Sequence, residues 1–346
     1  MIKATIAGAT GYTGIQLINL LKSHPSVTLS SLSANSNAGE SFANVFPSHR
    51  EIEERICAPT DLIAMAKEND VIFLALPHGI ASKSVTEEVL HYAKVIDLGA
   101  DFRLKDPAIY ETWYQTEHYG AEILPSAVYG LCEIYRDVIK NTRLLANPGC
   151  YTTASILSLL PAVKYGLIDS DTIIIDAKSG VSGAGRGLAL GNHFCEANES
   201  IKAYGVGTHR HTPEIEQELS FVSGNDITVT FTPHLIPMQR GILAVCYAKL
   251  KDGVSEKEVM QAYKDMYADE YFIRIRNKNN LPQTNYVKGS NYFDIATVID
   301  KRTNRLIAIG ALDNLMKGAS SQAVQNMNIM FGFDEKTGID LCPMYL

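Results

Sequence analysis

The stretch "IKATIAGATGYTGIQLINLL", residues 2–21, decides how the first part of the chain folds. A short apolar strand, Ile2 to Ala7, runs into glycines at Gly8, Gly11 and Gly14, and an amphipathic run follows from Ile15 to Leu21. Strand, glycine turn and helix in that order let a backbone approach a pyrophosphate and aim helix N–H groups at it. The spacing is GxxGxxG rather than GxGxxG. A glycine turn that merely packs strand on helix is the structural alternative.

The next segments repeat the plan. "VTLSSLSA" (27–34) reads as a second strand ending near Ser33, where an acidic residue would bind the adenosine ribose of NAD. Here "SANSNAGE" has no carboxylate before Glu40, which leaves room for a 2′-phosphate and leans towards NADP. "DVIFLALPHGIAS" (70–82) is a continuous apolar run, typical of a parallel strand buried on both faces, and stops at Pro77-His78-Gly79. That loop should face the cofactor, with the His78 ring read as taking no chemical part. "KVIDLGADFRL" (94–104) follows suit, with Asp97, Asp101 and Arg103 beyond its strand. The first 149 residues are therefore expected to form a Rossmann-like α/β domain.

After residue 150 the pattern changes. "DTIIIDAKSG", "DITVTFTPHLIP", "RGILAVCYAKL", "NYFDIATVID" and "RLIAIGALDN" are β-branched strands, with one evident helix, "SEKEVMQAYKDMYAD", among the last four. Such a run predicts an α+β domain with a largely antiparallel sheet over 150–312. A closing helix over about 313–332 carries Met316, Ala319, Ala323, Met327 and Met330 on one face and is expected to pack back on the first domain.

The chemistry concentrates in "LLANPGCYTT", residues 144–153. Cys150 follows Pro-Gly and opens the helical run "CYTTASILSLLP", so it sits at a helix N-terminus, whose partial positive charge favours thiolate. A buried, inert cysteine is the plain alternative. "GTHRHTPEIEQEL" (207–219) places His209 and His211 just before a helix that starts around Thr212-Pro213. If that loop is extended, both histidines point to one side, and one of them pairs with the thiolate. His193 and His234 are weaker candidates, and His24, His49, His91 and His118 read as surface residues. "SGVSGAGRGLALG" (179–191) is a glycine-serine loop whose amides suit an anion or a planar ring, with Arg186 adding charge.

Composition narrows the classes. The 346 residues are 46% apolar and 20% charged, with net charge −7 and no basic cluster, which argues against nucleic acid. No apolar run nears the roughly 18 residues of a membrane span. The chain enters a strand at once, so no signal peptide is expected. Six scattered cysteines without a CxxC pair suggest neither a disulfide framework nor a metal site. A reducing cytoplasm is the expected setting.

"GATGYTG", "ALPHG", "DLGADFRL", "YGLCEIYR", "NPGCYTT", "SGVSGAGR", "HRHTPEIEQ", "TPHLIPMQRGI" and "DNLMKGASSQAVQNMN", in that order, resemble the N-acetyl-γ-glutamyl-phosphate reductases of arginine biosynthesis. The resemblance implies a fold related to aspartate-semialdehyde and glyceraldehyde-3-phosphate dehydrogenases, NADPH as cofactor and a homodimer or homotetramer. It makes Cys150 the nucleophile, His209 the acid/base and His211 a substrate ligand or alternative base. It assigns Gly8, Thr10, Gly11, Tyr12, Thr13 and Gly14 to the pyrophosphate, and Ser33, Pro77 and His78 to the rest of the cofactor. Ser182, Gly183 and Asn314 fall beside the nicotinamide. Arg103, Asn147, Arg186 and Arg210 become the substrate contacts. The family often carries arginine at Asn35 and lysine at Glu40, a departure that bears on the 2′-phosphate. Three rivals stay open: the same chemistry on aspartyl or aminoadipyl phosphate, a Cys–His acyl transferase or hydrolase, and a redox-sensing NADPH-binding module.

Overall fold

The computed structural model describes residues 1–345. The chain divides into two compact units: Met1–Pro148 with Ala319–Asp340, and Gly149–Gly318 with the residues from Leu341 onward.

In the first unit the strands are β1 (Ile2–Ala7), β2 (Val27–Ser33), β3 (Val71–Leu74), β4 (Lys94–Asp97), β5 (Ala127–Tyr129) and β6 (Leu144–Ala146). They form one sheet in the order β2-β1-β3-β4-β6-β5, and every pairing is parallel. All four residues of β3 are buried, because a sheet covered on both faces leaves no solvent side for alternation to mark. Leu17, Ile18, Leu20 and Leu21 of the helix Tyr12–Lys22 are buried, as the sequence pattern required.

The second unit holds β7 (Ile168–Gly180), β8 (Lys202–Ala203), β9 (Thr230–Ile236), β10 (Ile242–Leu250), β11 (Ile273–Ile275), β12 (Phe293–Asp300) and β13 (Arg305–Leu312). The order is β11-β12-β13-β10-β7-β9-β8; β7–β9 and β11–β12 are parallel and the other neighbours antiparallel. Burial alternates along β10: Ile242, Ala244, Cys246 and Ala248 are covered, while Leu243, Val245 and Tyr247 are half-buried.

Two expectations need correction. His24, His49 and His118 are buried, not on the surface, because Nε2 of each ring finds a partner inside the first unit: Asn328 Oδ1, Asn19 Oδ1 and the Asp101 carbonyl. The segment read as one helix over 313–332 is a π-turn, Met316–Ser320, followed by the helix Ser321–Phe331. Residues 321–330 of that helix are all buried, so it presents no polar face. Amides satisfy it instead: Gln322 and Asn326 donate to the Gly130 carbonyl and Asn328 to those of Glu335 and Thr337.

The helix opening at Cys150 runs through Pro161 to Lys164. Proline has no N–H for the carbonyl four residues back. That carbonyl belongs to Leu157, and the Tyr267 hydroxyl donates to it instead. Tyr267 is 4% exposed, so no solvent replaces it. Tyr267→Phe should therefore destabilise the protein by about 1–3 kcal/mol in urea unfolding. Much of that loss should return in the Tyr267→Phe/Pro161→Ala double variant, whose restored N–H satisfies the carbonyl.

Candidate active site

In the first unit the glycine turn has two kinds of position. Gly8 has φ +88°, and a Cβ there would meet the Ala75 carbonyl oxygen at 2.2 Å; one on Gly14 would meet the Gly8 oxygen at 2.4 Å. Both glycines are demanded by packing of strand on strand and strand on helix. A Cβ on Gly11 would meet nothing closer than 3.6 Å, so the turn is open at Gly11. Gly11 is also the N-cap of the helix Tyr12–Lys22, which has no side-chain cap and no acidic residue in its first turn. An uncapped helix end behind an open glycine is what a dinucleotide pyrophosphate requires, so the residues present fit that cofactor. The Ser320 hydroxyl donates to the Thr13 carbonyl and holds this first turn. Thr10 is buried and Tyr12 exposed.

Other expected contacts in this unit are already engaged. The Ser33 hydroxyl bonds Thr60 Oγ1, and its carbonyl accepts from Gly8 and Ala9. Asn35 accepts from the Thr60 amide. Asn147, assigned to substrate, is 1% exposed; its amide donates to the Ala319 carbonyl and accepts from Asn326. Arg103 is 5% exposed and donates to the carbonyls of Asn147 and Leu98. The loop after β3 keeps Pro77 and His78 near the surface, with the His78 ring edge-on to Tyr114 at 5.1 Å. The Asp101 carboxylate accepts from the Gly79 and Ser82 amides and fixes that loop's far end. Burial, and then neighbouring Asp101, pushes Asp97 up to about 7.

The second unit gathers the reactive groups. Cys150 is the first residue of the helix Cys150–Lys164, with Gly149 as N-cap and no side-chain cap. It is neither buried nor fully exposed, whereas Cys57, Cys132 and Cys246 are buried. Burial pushes the Cys246 thiol up to about 12, the behaviour of an inert core cysteine. The Glu214 carboxylate, 1% exposed, accepts from the Gly149 amide at 3.0 Å and meets the Thr152 hydroxyl at 2.9 Å. It thus ties the start of the Cys150 helix to the helix Thr212–Ser223.

His209 and His211 do lie together, with ring centroids 4.8 Å apart, but by a turn rather than an extended strand. His211 has helical φ/ψ and caps the helix Thr212–Ser223, which puts Pro213 at its second position. The His211 amide donates to His209 Nδ1 at 3.1 Å, so a neutral His209 ring carries its proton on Nε2. Tyr151, Tyr204 and Phe231 pack edge-on around that ring at 5.3–5.7 Å. Burial, and then the Arg210 charge, lowers His209 to about 4. At neutral pH His209 is therefore a neutral imidazole with its proton on Nε2. Burial likewise raises Tyr204 to about 12, and its hydroxyl donates to that of Tyr151. His234 pairs with Asp176 at 3.2 Å and His193 is exposed.

The glycine-serine loop begins as a 3₁₀ turn, Val181–Ala184. Ser182 accepts from Asn314 Nδ2, and Asn314 Oδ1 accepts from the Gly241 amide, so the Asn314 amide bridges two loops. Gly183, Arg186 and Arg210 are exposed. A Cβ on Gly318 would come within 2.8 Å of Cys150 Cβ, so the π-turn backbone lies directly against the nucleophile candidate. Tyr151, Glu214, Arg240, Asp313 and Gly318 were each inside a quoted motif, but their contacts span sequence distances that spacing does not reveal.

The comparisons agree with this layout. A family model described as "Semialdehyde dehydrogenase, NAD binding domain" matches residues 3–142, and "Semialdehyde dehydrogenase, dimerisation domain" matches 150–314. The N-acetyl-gamma-glutamyl-phosphate reductase of Lachnospira eligens is 52% identical over the full length of both chains. The chain belongs to the N-acetyl-gamma-glutamyl-phosphate reductases of the semialdehyde dehydrogenase family. The reductase of Lachnoclostridium phytofermentans is 50% identical, again over all of both chains. Aspartate semialdehyde dehydrogenase II of Vibrio cholerae has the same fold, with TM-score 0.71 at 16% identity over 96% of this chain and 98% of that one. The Candida albicans aspartate semialdehyde dehydrogenase, solved with NADP, gives 0.68 at 15% over 96% and 98%. Among the described residues no helix is long and apolar enough to cross a membrane.

A neutral His209 makes a testable electrostatic statement. With exposed Cys195 and Cys342 changed to serine, the pH midpoint for iodoacetamide alkylation of Cys150 should move by less than about half a unit in His209→Gln. An upward move of more than a unit would mean a charged partner. The lowered pKa also implies that the unfolded chain takes up a proton first as pH falls. Stability contributed by His209 is thus complete above about 6.5 and is lost between there and about 4, a slope His209→Gln should remove.

Proposed function

We propose that this protein reduces N-acetyl-γ-glutamyl phosphate to N-acetylglutamate semialdehyde, with release of phosphate, using NADPH. The observation that carries the reading is Cys150, partly exposed at an uncapped helix start, in one unit with a neutral, Nε2-protonated His209. The full-length likeness to reductases of that name supports the substrate. No carboxylate ends β2, and Asn35 and Ser33 stand in its place, which favours a 2′-phosphorylated dinucleotide.

The chain's own groups divide the work. His211 takes the Cys150 proton, and the helix end holds the sulfur as thiolate. The thiolate attacks the acyl carbon, and the oxyanion that forms accepts a hydrogen bond from His209 Nε2. Collapse expels phosphate, which takes the proton held by His211, and leaves a thioester on Cys150. The turn from Gly8 to Gly14 would hold a reduced nicotinamide dinucleotide, which would supply the hydride needed to take the thioester to a thiohemiacetal. His209 holds that second oxyanion until it collapses, frees the aldehyde and restores the thiolate. Covalent attachment splits one hard reduction into two easier steps, and a desolvated N–H donor is stronger there than in water.

Copies pair through the half-buried face of the second sheet, where Leu243, Val245 and Tyr247 of β10 stand beside Ile309 and Ile307 of β13. An apolar patch of this kind, in a segment that matches a dimerisation domain, suits a second copy.

The reverse assay tests the chemistry. Supplied with the semialdehyde, phosphate and NADP, the wild type should produce NADPH, with slower turnover on NAD. Cys150→Ala should abolish it while still binding the dinucleotide, read from emission of Trp113, the single tryptophan. Turnover retained by that variant would end the scheme. Val245→Asp with Ile309→Asp should halve the particle mass in sedimentation.

A further inference from the structure

We propose that Arg240 is a substrate-specificity residue that binds an oxyanion of the substrate, either the carboxylate of the acyl chain or the phosphoryl group. It is assigned no role by the motif reading, and the inference rests on the acyl-phosphate function above. Arg240 lies in the bend between β9 and β10, and its Nε and Nη2 both approach the Asp313 carboxylate at 3.1–3.3 Å. Asp313 has no exposed surface, while Arg240 keeps 24% of its own. Asp313 also accepts from the Gly289, Leu315 and Met316 amides, which spread its charge over several donors. A guanidinium gripped along one edge and open along the other is a preformed fork for a second planar or tetrahedral anion. Its side-chain entropy is already spent before the ligand arrives.

The surroundings place this fork beside the chemistry. The bend's carbonyls accept from the glycine-serine loop: Met238 from Val181, Gln239 from Ser182, and Gly241 from Gly180. The Asp313 carbonyl accepts from Gly318, whose backbone lies against Cys150. Arg240 therefore belongs to the same bonded frame as the nucleophile. Of the other basic candidates, Arg186 and Arg210 are exposed, and Arg103 is buried in the first unit, where it donates to main-chain carbonyls.

The reverse reaction separates the two anions, since the semialdehyde carries the carboxylate and inorganic phosphate is added by itself. In Arg240→Met the KM for one of them should rise at least about tenfold, with kcat within about threefold and the KM for NADP unmoved. A rise for the semialdehyde, with lost discrimination against 4-acetamidobutanal, which lacks the carboxylate, assigns the carboxylate; a rise for phosphate assigns the phosphoryl group. An unchanged KM for both, or an equal fall in kcat with every substrate, overturns the proposal. If Arg240→Met does not fold, Arg240→Lys, which keeps the charge and loses the fork, carries the same comparison. A wild type without turnover on the semialdehyde would refute the reaction itself, a separable result.

Discussion

The buried carboxylate of Asp313 is the constraint on which the second unit's site depends. It accepts from an arginine and three backbone amides, so the turn from Asp313 to Gly318 has one arrangement rather than several. An unpaired buried carboxylate would cost several kcal/mol, and that penalty enforces the geometry of everything it touches. Through Asn314 the turn grips the glycine-serine loop, and through Gly318 it presses on the first residue of the Cys150 helix. Helix start, loop and arginine thus hold together without a metal or disulfide among the described residues.

The electrostatics follow from burial more than from charge pairing. Cys246 and Cys150 are the same side chain in two environments: one fully buried, the other at a helix end and only partly buried. His209 shows the same logic from the base side. Aromatic rings strip its water, Arg210 adds like charge, and the ring stays neutral. A hydrogen bond from the next-but-one amide then chooses its tautomer. Proton inventory and orientation are both decided before any substrate arrives.

Much of this was legible in the residues. The glycine turn, the parallel apolar runs and the start of the Cys150 helix depend on local chemistry, and local chemistry is what sequence records. The strands of the second unit were legible for the same reason, through β-branched runs between turn residues. The buried histidines were not, because polarity predicts exposure unless a partner is known, and Asn328 lies 304 residues from His24. Nor does the sequence show how the helix accommodates Pro161, because the Tyr267 hydroxyl sits 110 residues from the stranded carbonyl. Arg240 and Asp313 stand 73 residues apart, so neither motif shows the other. The missed features are all long-range side-chain partnerships.

The first unit is discontinuous: residues 319–340 belong to it, and with them the helix Ser321–Phe331, buried from 321 to 330. During synthesis the parallel sheet is complete by residue 146, yet it lacks the helix that seals it until nearly the whole chain has emerged. The ribosome therefore delivers a dinucleotide fold with a greasy seam open for most of translation, at a stage when such surfaces invite aggregation or chaperones. A nonsense mutation some 25 residues from the end would accordingly wound the amino-terminal fold while sparing most of its carboxy-terminal neighbour.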